Sequence, residues 1–134
     1  MQVIVYSQNN GQVTVCYPTG ELPIEEVLSR DCPEGAVIVE NNSLPNEHDS
    51  FFDAWELNGT TVTVNLAKAK AITKDRLRAE RTPLLQAQDV AFQRALESGA
   101  DTTAIVAEKQ RLRDITQLAD QANTLEQLKQ LGVA

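Results

Sequence analysis

The sequence predicts an α+β protein in two parts: a small N-terminal antiparallel β-sheet domain over residues 1–64, and a C-terminal helical hairpin with a short third helix over residues 65–134. Two observations predict this division. Short runs rich in β-branched residues, separated by Asn/Gly turns, occupy the first part. After Asn65 the pattern changes to helical spacing, and Ala, Leu, Lys and Arg dominate. By its length the chain is one domain, or one small module with an extended appendage.

Two hairpins account for most of the predicted strands. The first joins QVIVYS to QVTVCY through Asn9–Gly11, and the second joins DAWEL to TTVTVN, with Asn58–Gly59 as the centre of a type I′ turn. The run AVIVE predicts another strand, and a short helix is expected at Pro23–Ser29, where proline holds an allowed early position. The segment NNSLPNEHDS is expected to be a polar loop.

The predicted helices of the second part have recognisable ends. Asn65 is expected to cap the first helix, and Gly99 suits the position just after its end. Asp101 or Thr102 can cap the second helix, which carries four apolar residues on one face. Those residues are Ile105, Leu112, Ile115 and Ala119.

A short third helix is predicted near the end of the sequence. Thr124 and Gln127 have the spacing of a capping box, and Gly132 is expected to stop this helix.

Pro83 lies near the middle of the first long helical pattern. Proline lacks a backbone donor and clashes with the preceding turn, which costs about 3 kcal/mol in a helix interior. We therefore expect a kink, or a helix that ends near Arg81 and a new one that starts with Thr82 as its cap.

Charged residues on both sides of the proline predict contacts across the hairpin. Our hypothesis is that Arg78 or Arg81 pairs with Asp114, and that Asp89 pairs with Arg113, because bidentate Arg–carboxylate pairs favour one register. The alternative is that these side chains are separate solvated charges on helix faces, each contributing little to stability.

The net charge of −7 is unevenly distributed. Residues 1–65 carry one base and ten acids, whereas residues 68–81 carry six bases and two acids. In the second segment Lys70, Lys74 and Arg78 form a one-sided basic stripe at i, i+4 and i+8 that could meet phosphate. Nucleic-acid binding is not expected, since no aromatic residues interleave the stripe. The acidic domain of a neighbouring copy is a better partner, and a solvated face is the alternative.

Catalytic, metal and cofactor sites are not expected. Cys16 and Cys32 lack a metal-binding or redox spacing and predict reduced cysteines of a cytosolic protein. His48, the single histidine, falls in a predicted exposed loop. Trp55 and its neighbouring phenylalanines are expected to pack in a core or at the domain junction. With no signal pattern and no run long enough to cross a bilayer, we expect a soluble intracellular protein.

Two segments of the helical part resemble a known family. RLRAERTPLLQAQDVAF, followed by EKQRLRDIT, is similar to the C-terminal module of tail assembly chaperones and tail fibre assembly proteins of tailed bacteriophages. That module has an arginine-rich turn, a Leu-Leu pair, an aspartate and then RQ-x-LRDI. The resemblance lies within residues 76–116 of the 134. The upstream segment from SLPNEHDS to DRLR is also similar to uncharacterised phage proteins that join a small β domain to this hairpin. The matching positions are Arg78, Arg81, Leu84, Leu85, Asp89, Gln110, Leu112, Arg113, Asp114 and Ile115.

The resemblance implies a non-enzymatic phage protein, present in the host cytoplasm during assembly, that binds tail, fibre or other virion proteins. Two forms of this hypothesis stay open. The protein is either a transient chaperone that leaves after assembly, or a permanent dimeric or trimeric component of the tail, neck or capsid surface. Because the predicted Leu/Ile/Ala seam is thin for a hairpin on its own, we expect it to form homo-oligomers or to dock on a partner.

Overall fold

The α+β class is confirmed by a computed structural model, which describes residues 1–134. Five strands and one short helix come first, and three further helices follow. The chain divides into two compact units, Met1–Ala69 and Lys70–Ala134. We call them the N-terminal unit and the C-terminal unit.

Two antiparallel sheets form the N-terminal unit. The first sheet has three strands in the order β2-β1-β3, and the second is the β4-β5 hairpin. A short helix, α1, spans Ile24–Asp31, close to the predicted position. The strands are β1 (Gln2–Ser7), β2 (Val13–Cys16), β3 (Val37–Glu40), β4 (Trp55–Asn58) and β5 (Thr61–Val64).

The first hairpin forms as predicted. The backbone N–H of Gly11 donates to the carbonyl of Gln8 at 2.9 Å, and that of Gln8 donates to the carbonyl of Gln12 at 2.8 Å. Gly11 has a φ of +83°, a conformation that glycine adopts without strain. The turn therefore closes where the Asn9–Gly11 segment predicted it.

The second hairpin forms, but its predicted turn centre is wrong by one residue. Asn58 pairs with Thr61, so the loop is Gly59–Thr60. Gly59 has a φ of +64° and no other residue of the turn has a positive φ, which defines a type II′ turn rather than type I′. The observed register pairs Leu57 with Val62, whereas a loop centred on Asn58–Gly59 would pair Leu57 with the polar Thr60.

Strand β1 is buried on both faces because it lies between two apolar layers. Val3 and Val5 belong to a core cluster that includes Trp55 and Val62 of the β4-β5 hairpin. Ile4, which points to the opposite face, is also buried, and α1 contacts β1 and β3. This explains why the run VIV shows no polar alternation.

The segment predicted as a polar loop is structured, so this prediction is wrong. Residues Asn41–Ser43 and Asn46–Ala54 form 3-10 turns, the second interrupted by non-helical angles at His48 and Phe51. Phe51 and Ala54 are buried, and the indole N–H of Trp55 donates to the carbonyl of His48 at 3.2 Å. Leu44 is the single buried side chain within the predicted loop, and Phe51 and Ala54 follow it, so one apolar residue among nine others gave little sign of this packing.

Three helices form the C-terminal unit, apart from the first turn of α2. They are α2 (Leu66–Ser98), α3 (Thr103–Gln121) and α4 (Leu125–Gln130). Helices α2 and α3 pack as the predicted hairpin, and α4 is the predicted short third helix. Their buried seam consists of Leu77, Ala95, Leu112, Ile115, Ala119, Ala122 and Leu128.

The ends of α2 confirm two predicted caps. The side-chain oxygen of Asn65 accepts from the N–H of Lys68 at 3.0 Å, as an N-cap residue does. At the other end Gly99 has a φ of +73°, and the N–H of Ala100 donates to the carbonyl of Ala95 at 2.8 Å. This is the hydrogen bond of a Schellman motif.

The caps of the shorter helices also follow the sequence. Asp101, rather than Thr102, accepts from the N–H of Thr103 at 3.0 Å and from its hydroxyl at 2.7 Å. At α4 the hydroxyl oxygen of Thr124 accepts from the N–H of Gln127 at 3.2 Å. The Gln127 side chain accepts from the N–H of Asn123 at 2.6 Å, one residue before the position that a capping box uses.

Helix α2 continues through Pro83, so the predicted restart at Thr82 is wrong. The hydroxyl of Thr82 does not cap a new helix but donates to the carbonyl of Arg78 at 2.8 Å. Leu77 before the proline and Ala95 after it are both buried in the same unit. Packing on both sides of Pro83 therefore offsets the local cost of the proline.

Candidate functional site

Arg78 does not cross the hairpin, and its predicted pairing with Asp114 is wrong. Its guanidinium lies 2.9 Å from the Asp75 carboxylate, one turn earlier on α2. Asp114 instead accepts from the side-chain amide of Gln110 at 3.0 Å, one turn earlier on α3. Both side chains therefore contact a residue of their own helix, at a spacing of three or four positions where side chains are neighbours.

Arg81 does cross the hairpin, but to backbone oxygens and not to Asp114. Its Nη1 donates to the carbonyl of Arg113 at 2.9 Å and to that of Leu112 at 3.3 Å. The guanidinium therefore binds the backbone of α3. Every residue has a carbonyl group, so the sequence could not single out these acceptors.

Asp89 crosses the hairpin to Lys109, so the predicted pair with Arg113 is wrong. The carboxylate of Asp89 lies 2.7 Å from the Lys109 ammonium, which also sits 5.0 Å from the centre of the Phe92 ring. The Lys109 side chain is only 16% exposed. A carboxylate and an aromatic face thus compensate the burial of one cation. Lys109 was missed because no helical spacing along the sequence connects it to α2.

The apolar members of the resembling segments separate into two groups. Leu112 and Ile115 are buried in the seam of the C-terminal unit, and Leu85 is half-buried. Leu84 is 40% exposed. The first group holds the hairpin together, whereas Leu84 remains available for contact with another molecule.

The basic stripe is partly bound within its own unit. Lys74 lies 2.5 Å from the carboxylate of Asp120, and the Lys70 ammonium donates to the carbonyl of the same residue at 3.1 Å. Asp120 is in the last turn of α3, where cations interact favourably with the helix dipole. With Arg78 bound to Asp75, each member of the stripe already has an acidic or carbonyl contact.

Two arginines that the sequence did not single out hold the residues after α4. Arg76 donates to the carbonyl of Leu131 at 2.7 Å, and Arg111 donates to that of Val133 at 2.8 Å. Arg111 also makes two hydrogen bonds to the Glu108 carboxylate, at 2.6 and 2.9 Å. The guanidinium of Arg111 lowers the pKa of Glu108 below its ordinary value, because it donates to the ionised form.

Trp55 is a core residue, as expected. It is 3% exposed, and its ring centre lies 4.8 Å from that of Phe52 in a tilted arrangement. One edge of this aromatic pair borders a groove of about 370 Å³ next to strand β2. The groove is lined mainly by Val13, Thr14, Val15, Tyr17, Phe52 and Trp55, with Asn46 and Asp49 on its polar side.

Cys16 and Cys32 are both half-buried free thiols in the N-terminal unit. Burial raises the pKa of the Cys32 thiol above its ordinary value, and the neighbouring Cys16 thiol raises it further. The raised pKa makes Cys32 a weaker nucleophile at neutral pH than an ordinary thiol.

No three histidine, cysteine or acidic side chains lie together as a metal-binding group. None of the helices combines the length and the apolarity of a membrane span. No protein-family model, curated protein or solved structure matches the chain.

Proposed function

We propose that the protein is a non-enzymatic structural or assembly protein of a tailed bacteriophage that binds tail, fibre or other virion proteins. The resemblance of residues 76–116 to tail assembly chaperones and fibre assembly proteins suggests this class. The observation that carries the proposal is that α2 and α3 leave large apolar side chains in solvent. They are Leu84, Val90, Leu96, Val106 and Leu118, each 40–60% exposed.

Exposed apolar side chains on helices support protein binding. The buried seam of the C-terminal unit is formed by other residues, and these side chains keep about half of their surface in solvent. Burying them against a partner removes apolar surface from water, at about 25 cal/mol per Å². Leu84, Val90 and Leu96 are six residues apart and lie on different sides of α2, so the five side chains do not share one helix face. Leu96 and Val106 both lie near the turn between α2 and α3, and a partner, whether a virion protein or a second copy of the chain, could contact them there.

Quantitative mass spectrometry tests the proposal and separates its two forms. The chain would be measured against the major capsid protein in mature particles and in lysate of infected cells. A fixed stoichiometry in particles supports a permanent component. Presence in lysate in complex with a tail or fibre protein, together with loss from particles, supports a transient chaperone. A chain that is absent from particles and from every complex with virion proteins contradicts both forms.

A charge-matched pair of variants tests whether the exposed apolar side chains make the contact. Leu96→Glu with Val106→Glu places two carboxylates at exposed apolar positions and is expected to abolish binding to the virion partner. Gln93→Glu with Gln117→Glu adds the same charge at exposed polar positions of the same helices and is expected to leave it intact. Equal recovery of both variants in particles or complexes would show that Leu96 and Val106 do not make the contact.

A further inference from the structure

The outer edge of strand β2 has free pairing capacity. Strand order β2-β1-β3 places β2 at one side of the sheet. The hydrogen bond from Gln8 to Gln12 fixes which residues face β1, because hydrogen-bonded pairs alternate along an antiparallel ladder. Thr14 and Cys16 therefore point their backbone groups at β1, and Val13 and Val15 point theirs outward.

The other side of the sheet gives the same alternation independently. The N–H of Asn41 donates to the carbonyl of Met1 at 2.8 Å, which assigns Val3 and Val5 as the residues of β1 that bond to β3. The intervening residues of β1 then bond to β2, as the Gln8 contact requires.

The groove beside the Phe52–Trp55 pair runs along this outer edge. Three consecutive residues, Val13 to Val15, line it. Successive side chains of a strand point to opposite faces, so a groove that touches all three lies beside the strand and not on one face of the sheet. Phe52 and Trp55 also line the groove.

The groove combines an apolar wall with negative charge. Tyr17, 53% exposed, stands at its edge. Asp49 lines it, and the carboxylate of the nearby Asp53 accepts from the side chain of Gln12 at 2.8 Å. Residues 1–65 as a whole carry ten acids and a single base. An extended segment with alternating apolar and basic side chains matches both features.

We propose that this groove binds an extended basic segment of a partner protein, which joins the sheet as a further strand through the backbone of Val13 and Val15. This inference rests on the proposed function in one respect: the partner is taken to be a virion protein. A second copy of this chain does not supply the strand, because its basic segment, residues 68–81, lies within helix α2.

Binding would be tested on the full chain with a peptide of about seven residues, a typical strand length, in which lysine and valine alternate. Amide hydrogen exchange is expected to slow at Val13 and Val15 and to stay unchanged at Thr14 and Cys16, whose N–H groups already bond to β1. Fluorescence of Trp55, the single tryptophan, gives the affinity. Protection at β3 alone, or no protection at either edge, would overturn the proposal.

The same peptide, N-methylated at the residues that face the protein, keeps its charge and side chains but loses its main-chain donors. We expect it to bind about tenfold more weakly or worse, the loss that follows from removing a few main-chain hydrogen bonds. Equal affinity for both peptides would show attraction by charge alone and would overturn strand addition.

Two protein variants locate the site. Val15→Pro removes an outward N–H without breaking the ladder to β1 and is expected to lose binding. Ile38→Pro makes the matching change on the opposite edge strand, where alternation also points the N–H outward, and is expected to keep it. Circular dichroism checks the fold of both variants, and the methylated peptide needs no variant at all.

Further outcomes separate this inference from the proposed function. Edge-to-edge association of the free chain, detected by sedimentation and abolished by Val15→Pro, would give the groove to a second copy and overturn the proposed partner. If the peptide does not bind but the chain is present in particles, the groove is not a binding site and the proposed phage role is unaffected. Binding of the peptide by a chain found in no particle or virion complex would support the groove and contradict the phage role.

Discussion

The two units of this protein are held together in different ways. The N-terminal unit has a broad apolar cluster, with valines from four strands packed around Trp55 and Leu44. The C-terminal unit has a narrow seam, and cationic side chains join its helices by binding backbone carbonyls and carboxylates. Those side chains are Lys70, Lys74, Arg76, Arg81, Lys109 and Arg111.

This difference follows from the amount of apolar surface that each unit can bury. A sheet covered on both faces buries enough apolar surface to hold itself, so its charged residues stay outside. A hairpin rich in Ala, Lys and Arg has less apolar surface, so the hydrocarbon stems and charged ends of its long cationic side chains complete the contacts. The six bases of residues 68–81 supply most of the cationic side chains that join the helices, whereas the N-terminal unit, which is acidic, relies on apolar burial.

The largest expected effect is at the centre of the apolar cluster. Trp55→Ala removes a buried ring and its hydrogen bond to His48, and should lower the free energy of unfolding by about 3–5 kcal/mol. Urea unfolding followed by far-UV circular dichroism measures it. Tyr17→Ala is the control: its ring is 53% exposed, so a change within about 0.5 kcal/mol is expected. Equal losses would mean that the cluster is not the core of this unit.

A core substitution in the C-terminal unit should come next. Leu112 is fully buried, and Leu112→Ala should cost about 2–5 kcal/mol, with the lower part of the range expected for a narrow seam that can collapse. Leu84→Ala makes the same truncation at a side chain that is 40% exposed, and about 1 kcal/mol or less is expected. Urea unfolding of the two variants side by side decides, and a larger loss at Leu84 would contradict the seam.

The contribution of cations to the hairpin is tested at Arg81. Arg81→Met keeps the apolar stem and removes two hydrogen bonds to α3, and we expect a loss of about 1 kcal/mol. Arg78→Met, whose guanidinium binds only within α2, should change stability by about 0.5 kcal/mol or less. If thermal unfolding places the two variants at the same midpoint, the carbonyl contacts add nothing to the hairpin.

A smaller effect is expected for the ion pair that joins α2 to α3. Asp89→Asn removes the charge that faces Lys109, and a loss of about 0.5 kcal/mol is expected because the carboxylate is 62% exposed. The Lys109 ammonium keeps its contact with the Phe92 ring. The loss should shrink in high salt, which screens exposed pairs. A loss that is independent of salt would point to packing instead.

The smallest expected effect concerns the thiol pair of the N-terminal unit. Because the pKa of Cys32 is raised, its alkylation by iodoacetamide should reach half-maximal rate above pH 9.0, the ordinary thiol value. The neutral thiol contributes stability below the unfolded-state pKa, and that contribution is lost as pH rises through the folded-state value. Cys16→Ala removes the second cause and should move the midpoint part of the way down; an unchanged midpoint would assign the raised pKa to burial and to the Asp31 carboxylate.

The first hairpin turn and most helix ends were predicted correctly because they depend on short-range backbone chemistry. Turn glycines, the Asn65 cap, the Schellman end at Gly99 and the Thr124 cap each depend on residues a few positions apart. The same reasoning failed at Pro83 and at the turn after Asn58. In both cases a local preference competed with packing, and packing decided the outcome.

The candidate site was predicted less well than the fold. The sequence identified Arg81 and Asp89 as side chains that cross the hairpin, but it named the wrong acceptors, Asp114 and Arg113. It also missed Lys109 and the arginines that bind the last residues of the chain. Long cationic side chains reach several acceptors, so the choice among them depends on distances that the pattern of residues does not contain.

The sequence by itself determined the α+β class, the order of the elements and most helix ends, because these depend on periodicity and on local backbone chemistry. The tertiary structure decided the strand register after Asn58, the continuity of α2 and the partners of the charged side chains. It also placed an open strand edge beside an aromatic groove in an acidic unit. Those features depend on which distant surfaces meet, and contacts between residues far apart in the chain set that choice.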